Sequence, residues 1–202
     1  SLQSITLLGS LISIGDGAFH ECLGLTAIDI PASVQHIGSN PFQHAAALVE
    51  VRVHPDNPAL EIIDGVLFTK ADKRLVWYPV SREATTYTVP LGTQTIGGSA
   101  FSGCTSLATI TLPDSITDIG NSAFSDCASL QSIALPHGLI SLGYSAFYGC
   151  TSLQSIVLPQ GITSIERQAF YRCKNLHSMT IPHSITSIGN SAFNGCASLQ
   201  NI

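Results

Sequence analysis

Residues Leu107 to Ser129 read LATITLPDSITDIGNSAFSDCAS, and the same 23-residue phrase returns, slightly altered, from Leu130, Leu153 and Leu176. In register it becomes Leu-x-x-Ile-x-Leu-Pro-x-x-Ile-x-x-Ile-Gly-x-x-Ala-Phe-x-x-Cys. A fixed period of about 20 to 50 residues marks a solenoid, whose units bury their apolar faces only by stacking on one another. Within the phrase, Thr109-Ile110-Thr111 alternates and is β-branched, which favours an extended segment, and stacked copies of it make a parallel sheet. Pro113 ends that segment where a missing N–H is tolerated. Ile116 and Ile119 then re-enter the core as a second short extended piece, Gly120 allows a bend, and Ala123-Phe124 is expected to form a single helical turn. Glu166 stands where the other coils carry glycine, so positive φ is not required at that position.

Working outward, the first coil holds Leu2, Ile5, Leu7, Leu11, Ile14, Phe19 and Cys22, with Leu8 where later coils carry proline. The second holds Leu25, Ile28, Ile30, Val34, Ile37 and Phe42, with Pro41 replacing the usual alanine and Ala45 the usual cysteine. A third starts at Leu48 and is interrupted, and the pattern resumes at Tyr87 with 13 extra residues spent. The interruption, residues 49 to 83, carries 11 of the 21 charged residues and the single tryptophan, so it differs in kind from its surroundings. Asp64-Gly65 between two apolar runs reads as a type I′ hairpin, Thr69 to Arg74 as a polar turn, and Leu75 to Tyr78 as a third strand ended by Pro79. The expectation is a small β-meander projecting from the solenoid.

The net charge of −5, with only eight Lys and Arg scattered along the chain, supplies no basic stripe for nucleic acid or an anionic membrane. No apolar run approaches the roughly 20 residues of a membrane helix, so no membrane insertion is expected. The chain reads as one repeat domain over residues 1–202. Ser1 already lies inside a repeat and residues 198–202 open another, so both ends read as cut from a longer protein.

With Ile-Gly-x-x-Ala-Phe-x-x-Cys closing each unit, and with Asp64-Gly65-Val66-Leu67-Phe68 followed by Leu75-Val76-Trp77-Tyr78-Pro79, the chain resembles the BspA-like leucine-rich repeat family. That family is found chiefly on bacterial surfaces and in some parasitic protists. The resemblance covers nearly the whole chain. It implies a right-handed leucine-rich repeat solenoid, with a parallel sheet on the concave side and short helical turns opposite. It also implies a secreted, extracellular, cell-surface location and adhesion to a protein ligand on host matrix or on another microbe's surface.

Cys104, Cys127, Cys150, Cys173 and Cys196 recur every 23 residues and stack at about the 4.7 to 4.9 Å strand spacing, with side chains parallel rather than facing. They are read as a ladder of free thiols. One cysteine per coil gives linear placement, not the tetrahedral set that zinc needs, so neither a metal nor another cofactor is expected. His137 and His183 share a register two coils apart and read as solvated loop residues. With no nucleophile elbow, HExxH or P-loop, the chain is not read as an enzyme.

Binding anchors are sought instead among aromatic and arginine side chains. Tyr144 and Arg167 share one register, as do Tyr148 and Tyr171, with Arg172 beside them. Trp77, Tyr78, Arg74 and Arg82 form a second candidate cluster in the meander. The x positions of the presumed concave face, such as Gln131, Ser132, Gln154, Ser155, His177 and Ser178, make a smooth polar surface. A noncatalytic interaction module of an adhesin-like surface protein is the leading reading, and a structural spacer carrying another domain is the alternative.

Overall fold

The computed structural model describes residues 2–200 as a β-solenoid of about eight coils, starting at Leu2, Leu25, Leu48, Ala84, Leu107, Leu130, Leu153 and Leu176. The first extended piece of coils 4 to 8 forms a five-stranded parallel sheet from Thr86–Thr88 through Thr109–Thr111, Ser132–Ile133 and Ser155–Val157 to Ser178–Thr180. Its register advances by one repeat per strand, with Thr109 opposite both Thr86 and Ser132. Ala27–Ile30 and Glu50–Val53 pair in the same way in coils 2 and 3. Ile110 points into the core while Thr109 and Thr111 face solvent, as the two-residue side-chain period requires.

No helical turn forms at Ala-Phe, contrary to expectation. Between Gly120 and Cys127 the N–H groups alternate in their use. Those of Ser122, Phe124 and Asp126 bond to the carbonyls of Tyr144, Ala146 and Tyr148 in the next coil, at 2.9, 2.9 and 2.6 Å. Those of Ala123, Ser125 and Cys127 bond three residues back. A helix would spend every N–H within its own segment. Ser122 and Asp126 also take positive φ, in the left-handed region where an α-helix of L-residues cannot continue. Gly120 is not among the positive-φ residues. It is needed for close approach, because a Cβ there would stand 2.6 Å from the Gly98 nitrogen of the coil below.

Behind the turns, Phe101, Phe124, Phe147, Phe170 and Phe193 stack as near-parallel rings with centroids 5.3 to 5.6 Å apart. The cysteines stack beside them and do not pair. Each Sγ–H of Cys127, Cys150 and Cys173 donates at 3.1 Å to the carbonyl of Phe101, Phe124 and Phe147 respectively. The thiols therefore face backbone oxygens rather than one another. Burial pushes Cys127 up to about 12 and raises Cys104 and Cys150 as well.

The interruption is a three-stranded meander, Leu60–Ile63, Val66–Thr69 and Arg74–Trp77, and both Asp64 and Gly65 take the positive φ that its tight turn requires. It does not project, however. Arg74–Trp77 is the second extended piece of coil 3 and pairs in parallel with Thr95–Ile96 of coil 4, and the other two strands continue that sheet antiparallel. The meander thus runs through the core as a partition. Leu60, Leu67, Val76 and Trp77 pack with coils 1 and 2, whereas Val66, Phe68, Leu75 and Tyr78 pack with coils 4 to 8. Apolar residues on both faces, an unusual pattern for a surface hairpin, follow from this placement.

Trp77 meets Phe42 edge-on at 5.6 Å and Tyr78 meets Phe101 at 5.1 Å, so the pair bridges the phenylalanine column across coil 3. The Tyr78 N–H bonds to the Ala100 carbonyl just as Phe101 bonds to Ala123, which places Tyr78 in the phenylalanine register. Leu75 pairs with Ile96, yet Tyr78 follows three residues later where Phe101 follows Ile96 by five. The turn of coil 3 is therefore two residues short. Coils 2 and 4 meet over it, with Asn40 Nδ2 donating to the Ser99 carbonyl at 2.6 Å.

Three outcomes follow from this core. Phe147→Ala is expected to lower stability by about 3 to 5 kcal/mol, against no more than about 0.5 kcal/mol for the exposed Ser132→Ala, both read from denaturant melts. Thiol titration of the unfolded chain without reductant is expected to find six reactive cysteines, and fewer than five would contradict the ladder. Stability is also expected to fall on the alkaline side. Unfolded thiols and phenols ionise near about 8.5 and 10, while burial holds Cys127 and Tyr78 protonated up to about 12. This stabilisation is fully present below about pH 8.5 and is lost as pH rises through about 12. Urea midpoints measured from pH 8 to 11 should decline steadily, and a flat profile would place these groups in water.

Candidate functional site

Trp77 and Tyr78, sought as surface anchors, are each 1% exposed and belong to the core. The reason is the shortened turn of coil 3, which leaves space in the phenylalanine column for two large rings. Arg74 and Arg82 are likewise occupied. The Arg74 guanidinium donates to the carbonyls of Ile37 at 2.8 Å and Gly38 at 3.3 Å, tying coil 3 to coil 2 at their second extended pieces, which no strand ladder joins. Arg82 donates to the Asp64 carbonyl and carboxylate, both at 2.9 Å, and lies 5.7 Å from the Tyr78 ring and 5.9 Å from that of Tyr87. It clasps the hairpin tip to the solenoid. The hydrogen bond to Asp64 raises the guanidinium further above its ordinary value.

The turn face presents the other candidates together. Tyr148 and Tyr171, in adjacent coils, stack at 4.9 Å with their planes 7° apart, and both are half-buried. The Arg172 guanidinium sits 5.3 Å from the Tyr171 ring centroid while its side chain remains exposed. Tyr144 is 52% exposed, and Arg167, also exposed, lies one coil on, where its carbonyl accepts the Ser145 N–H at 2.9 Å. Stacked rings lose little freedom on binding, and exposed guanidinium groups add directional donors. The coil spacing makes this cluster, because a residue repeated 23 positions later stands directly beside its counterpart.

The first sheet offers a different surface. Thr86, Thr109, Ser132, Ser155 and Ser178 are register partners and form a row of hydroxyls across five coils. Toward the first coils the surface is charged. Arg52 and Asp29 are cross-strand partners, with the Arg52 Nε donating to Asp29 at 2.5 Å and one terminal nitrogen to Glu50 at 2.6 Å. The Arg52 hydrogen bond holds the Asp29 carboxyl below its ordinary range, although the pair is open to water and screened there. This trio escaped the sequence reading, although charged residues in positions that later coils fill with Thr, Ser, Ala or Val were the available signal.

On the turn face of the first six coils lies a groove of about 580 Å³. Asp16, His20, Ser39, Gln43, Asn121 and Tyr144 flank it, over a floor that includes Gly98, Ser99, Gly120 and Ser122. Ser39 Oγ lies 3.2 Å from where a Gly98 Cβ would stand, so the walls of coils 2 and 4 are adjacent across the recessed coil 3. Asn121 Oδ1 accepts the Tyr144 N–H at 3.1 Å, and Asp16 Oδ1 accepts the Ser39 N–H at 2.6 Å. Tyr144 was noted in the sequence, but the groove was not, because its walls come from separate coils.

A family model for the BspA type leucine rich repeat region matches residues 1–73 and 79–202 in six copies. No curated protein matches the chain. Among solved structures, a leucine rich cell surface protein from Faecalibacterium prausnitzii is 35% identical with a TM-score of 0.87, over 98% of this chain and 58% of that one. The pneumococcal vaccine antigen PcpA is 27% identical with a TM-score of 0.80, over 96% and 49%. A leucine-rich repeat protein from Eubacterium ventriosum, 24% identical with a TM-score of 0.73 over 98% and 66%, shares the fold. The chain spans about half to two thirds of the length of these structures.

Proposed function

The chain belongs to the BspA-type leucine-rich repeat family, and from that premise we propose that it is a noncatalytic extracellular interaction module, one segment of a longer adhesin-like bacterial surface protein. Its contact surface is the turn-face cluster of Tyr144, Tyr148, Arg167, Tyr171 and Arg172, and its partner is a protein of host matrix or of another microbe's surface. The stacked Tyr148–Tyr171 pair with Arg172 alongside carries the reading, since it is the densest partly exposed aromatic and guanidinium group among the described residues. The cell-surface description of the Faecalibacterium protein supports the location. Among the described residues no helix is long and apolar enough to cross a membrane.

The spacer reading draws on the core, which runs through coils 4 to 8 as one cluster and would make a stiff rod. The two readings separate in a binding assay. The purified chain, applied to plates coated with extracellular-matrix extract and to immobilised whole bacteria, is expected to bind saturably to at least one. Replacing Tyr148 and Tyr171 together by alanine should weaken that binding at least about tenfold, or 1.4 kcal/mol, with thermal melts showing the fold intact. No binding to either surface favours the spacer. Binding that survives this variant but falls on changing Gln131, Gln154 and His177 moves the contact to the first sheet.

A further inference from the structure

We propose that the groove over the shortened turn of coil 3 is a binding site for a neutral oligosaccharide, distinct from the stacked Tyr148–Tyr171 pair and sharing only Tyr144 with the proposed protein-contact surface. Its volume of about 580 Å³ falls in the range of roughly 300 to 1,000 Å³ where small-molecule sites lie. It is open and elongated, running from Asp16 and His20 in coil 1 to Tyr144 in coil 6, a shape suited to a chain rather than a compact ligand. The lining contains one carboxylate and neither lysine nor arginine, so nothing there compensates a phosphate, sulfate or uronate. Large aliphatic side chains are also missing from the lining, which gives an apolar peptide no pocket to fill.

What remains on the walls is a set of polar groups that both donate and accept. The Asn121 and Gln43 amides, the His20 ring and the Ser39 hydroxyl can each give and take a hydrogen bond, as can the hydroxyls of a sugar. Asp16 accepts only. Tyr144 supplies the complementary surface. It has no aromatic partner among the described residues, and its ring, 52% exposed, stands where the groove ends. An aromatic face next to planar amides suits a pyranose, whose C–H face packs on the ring while its equatorial hydroxyls reach the amides. The floor permits this approach because Gly98 and Gly120 bring backbone to the surface. At Gly120 a side chain is excluded by the 2.6 Å approach to the Gly98 nitrogen, so the floor stays flat.

The test titrates the purified chain with cellotetraose, with chitotetraose and with an acidic chondroitin tetrasaccharide, followed by calorimetry and by NMR shift changes. Saturable binding of at least one neutral tetrasaccharide, tighter than that of the acidic one, is expected. Tyr144→Ala and Gln43→Ala should each weaken it about tenfold or more, while Tyr144→Phe keeps the ring and retains binding. The Tyr148→Ala, Tyr171→Ala double variant should leave sugar binding unchanged and Gln43→Ala should leave matrix binding unchanged, so the two losses are read separately although Tyr144 belongs to both surfaces. Thermal melts establish that each variant is folded. No saturable binding of either neutral tetrasaccharide, preference for the acidic one, or binding that both Tyr144→Ala and Gln43→Ala leave intact overturns the proposal.

Discussion

In coils 1 and 4 to 7 the turn hands alternate backbone N–H groups to the carbonyls of the next coil, and the rest of the structure depends on that exchange. It fixes the length of the repeat, because a coil longer or shorter by a single residue would put a turn N–H opposite a side chain instead of an oxygen. It brings glycine to the start of most turns, with backbone of the coil below too close for a Cβ at Gly120 and Gly143, although Glu166 occupies the same register in coil 7. It also aligns phenylalanine over phenylalanine and cysteine beneath the carbonyl of the coil before it. The column of rings and the ladder of thiols are consequences of register, and their burial in turn makes the register costly to slip.

What the sequence disclosed and what it concealed divide along this line. A position's role within the repeat is local and periodic, so the parallel strands, the inward Ile and Phe positions, the unpaired cysteines and the Asp64-Gly65 hairpin could be read directly. The Ala-Phe turn could not. Its local composition favours a helix, but the hydrogen bonds that decide its conformation come from the neighbouring coil, and they outcompete the bonds a single helical turn could make to itself. The meander misled for a related reason. Its charges suggested a surface excursion, yet those charges sit at its turns and edges, while Val66, Leu67, Leu75 and Val76 are fully buried. Arginine and tryptophan in an irregular segment looked like binding chemistry. Here they repair the stack, Arg74 by holding coil 2 where strand pairing lapses and Trp77 by filling the ring column.

The aromatic cluster was legible because both tyrosines occupy one register, and register neighbours touch. The groove was not legible because no single coil contains it. Its residues are ordinary polar side chains at variable positions, drawn from coils 1, 2, 4, 5 and 6, and only the absence of two residues from the turn of coil 3 brings them around one depression.

Regular coils also leave depressions between them, such as one of about 410 Å³ along the first strands of coils 6 and 7. The depression of about 580 Å³ on the turn face lies where one coil differs. In coil 3 the extra residues enter the sheet and the core, while the turn above them contracts. These changes are coupled, because Trp77 and Tyr78 can occupy the ring column only if the chain reaches it early, three residues after Leu75. The contraction leaves coils 2 and 4 to close over the gap through the Asn40 amide, which also accepts the Phe42 N–H and so has both ends fixed. A depression held by a buried, doubly bonded amide and a continuous aromatic core is rigid without any ligand, so a sugar bound there would meet a surface already in place.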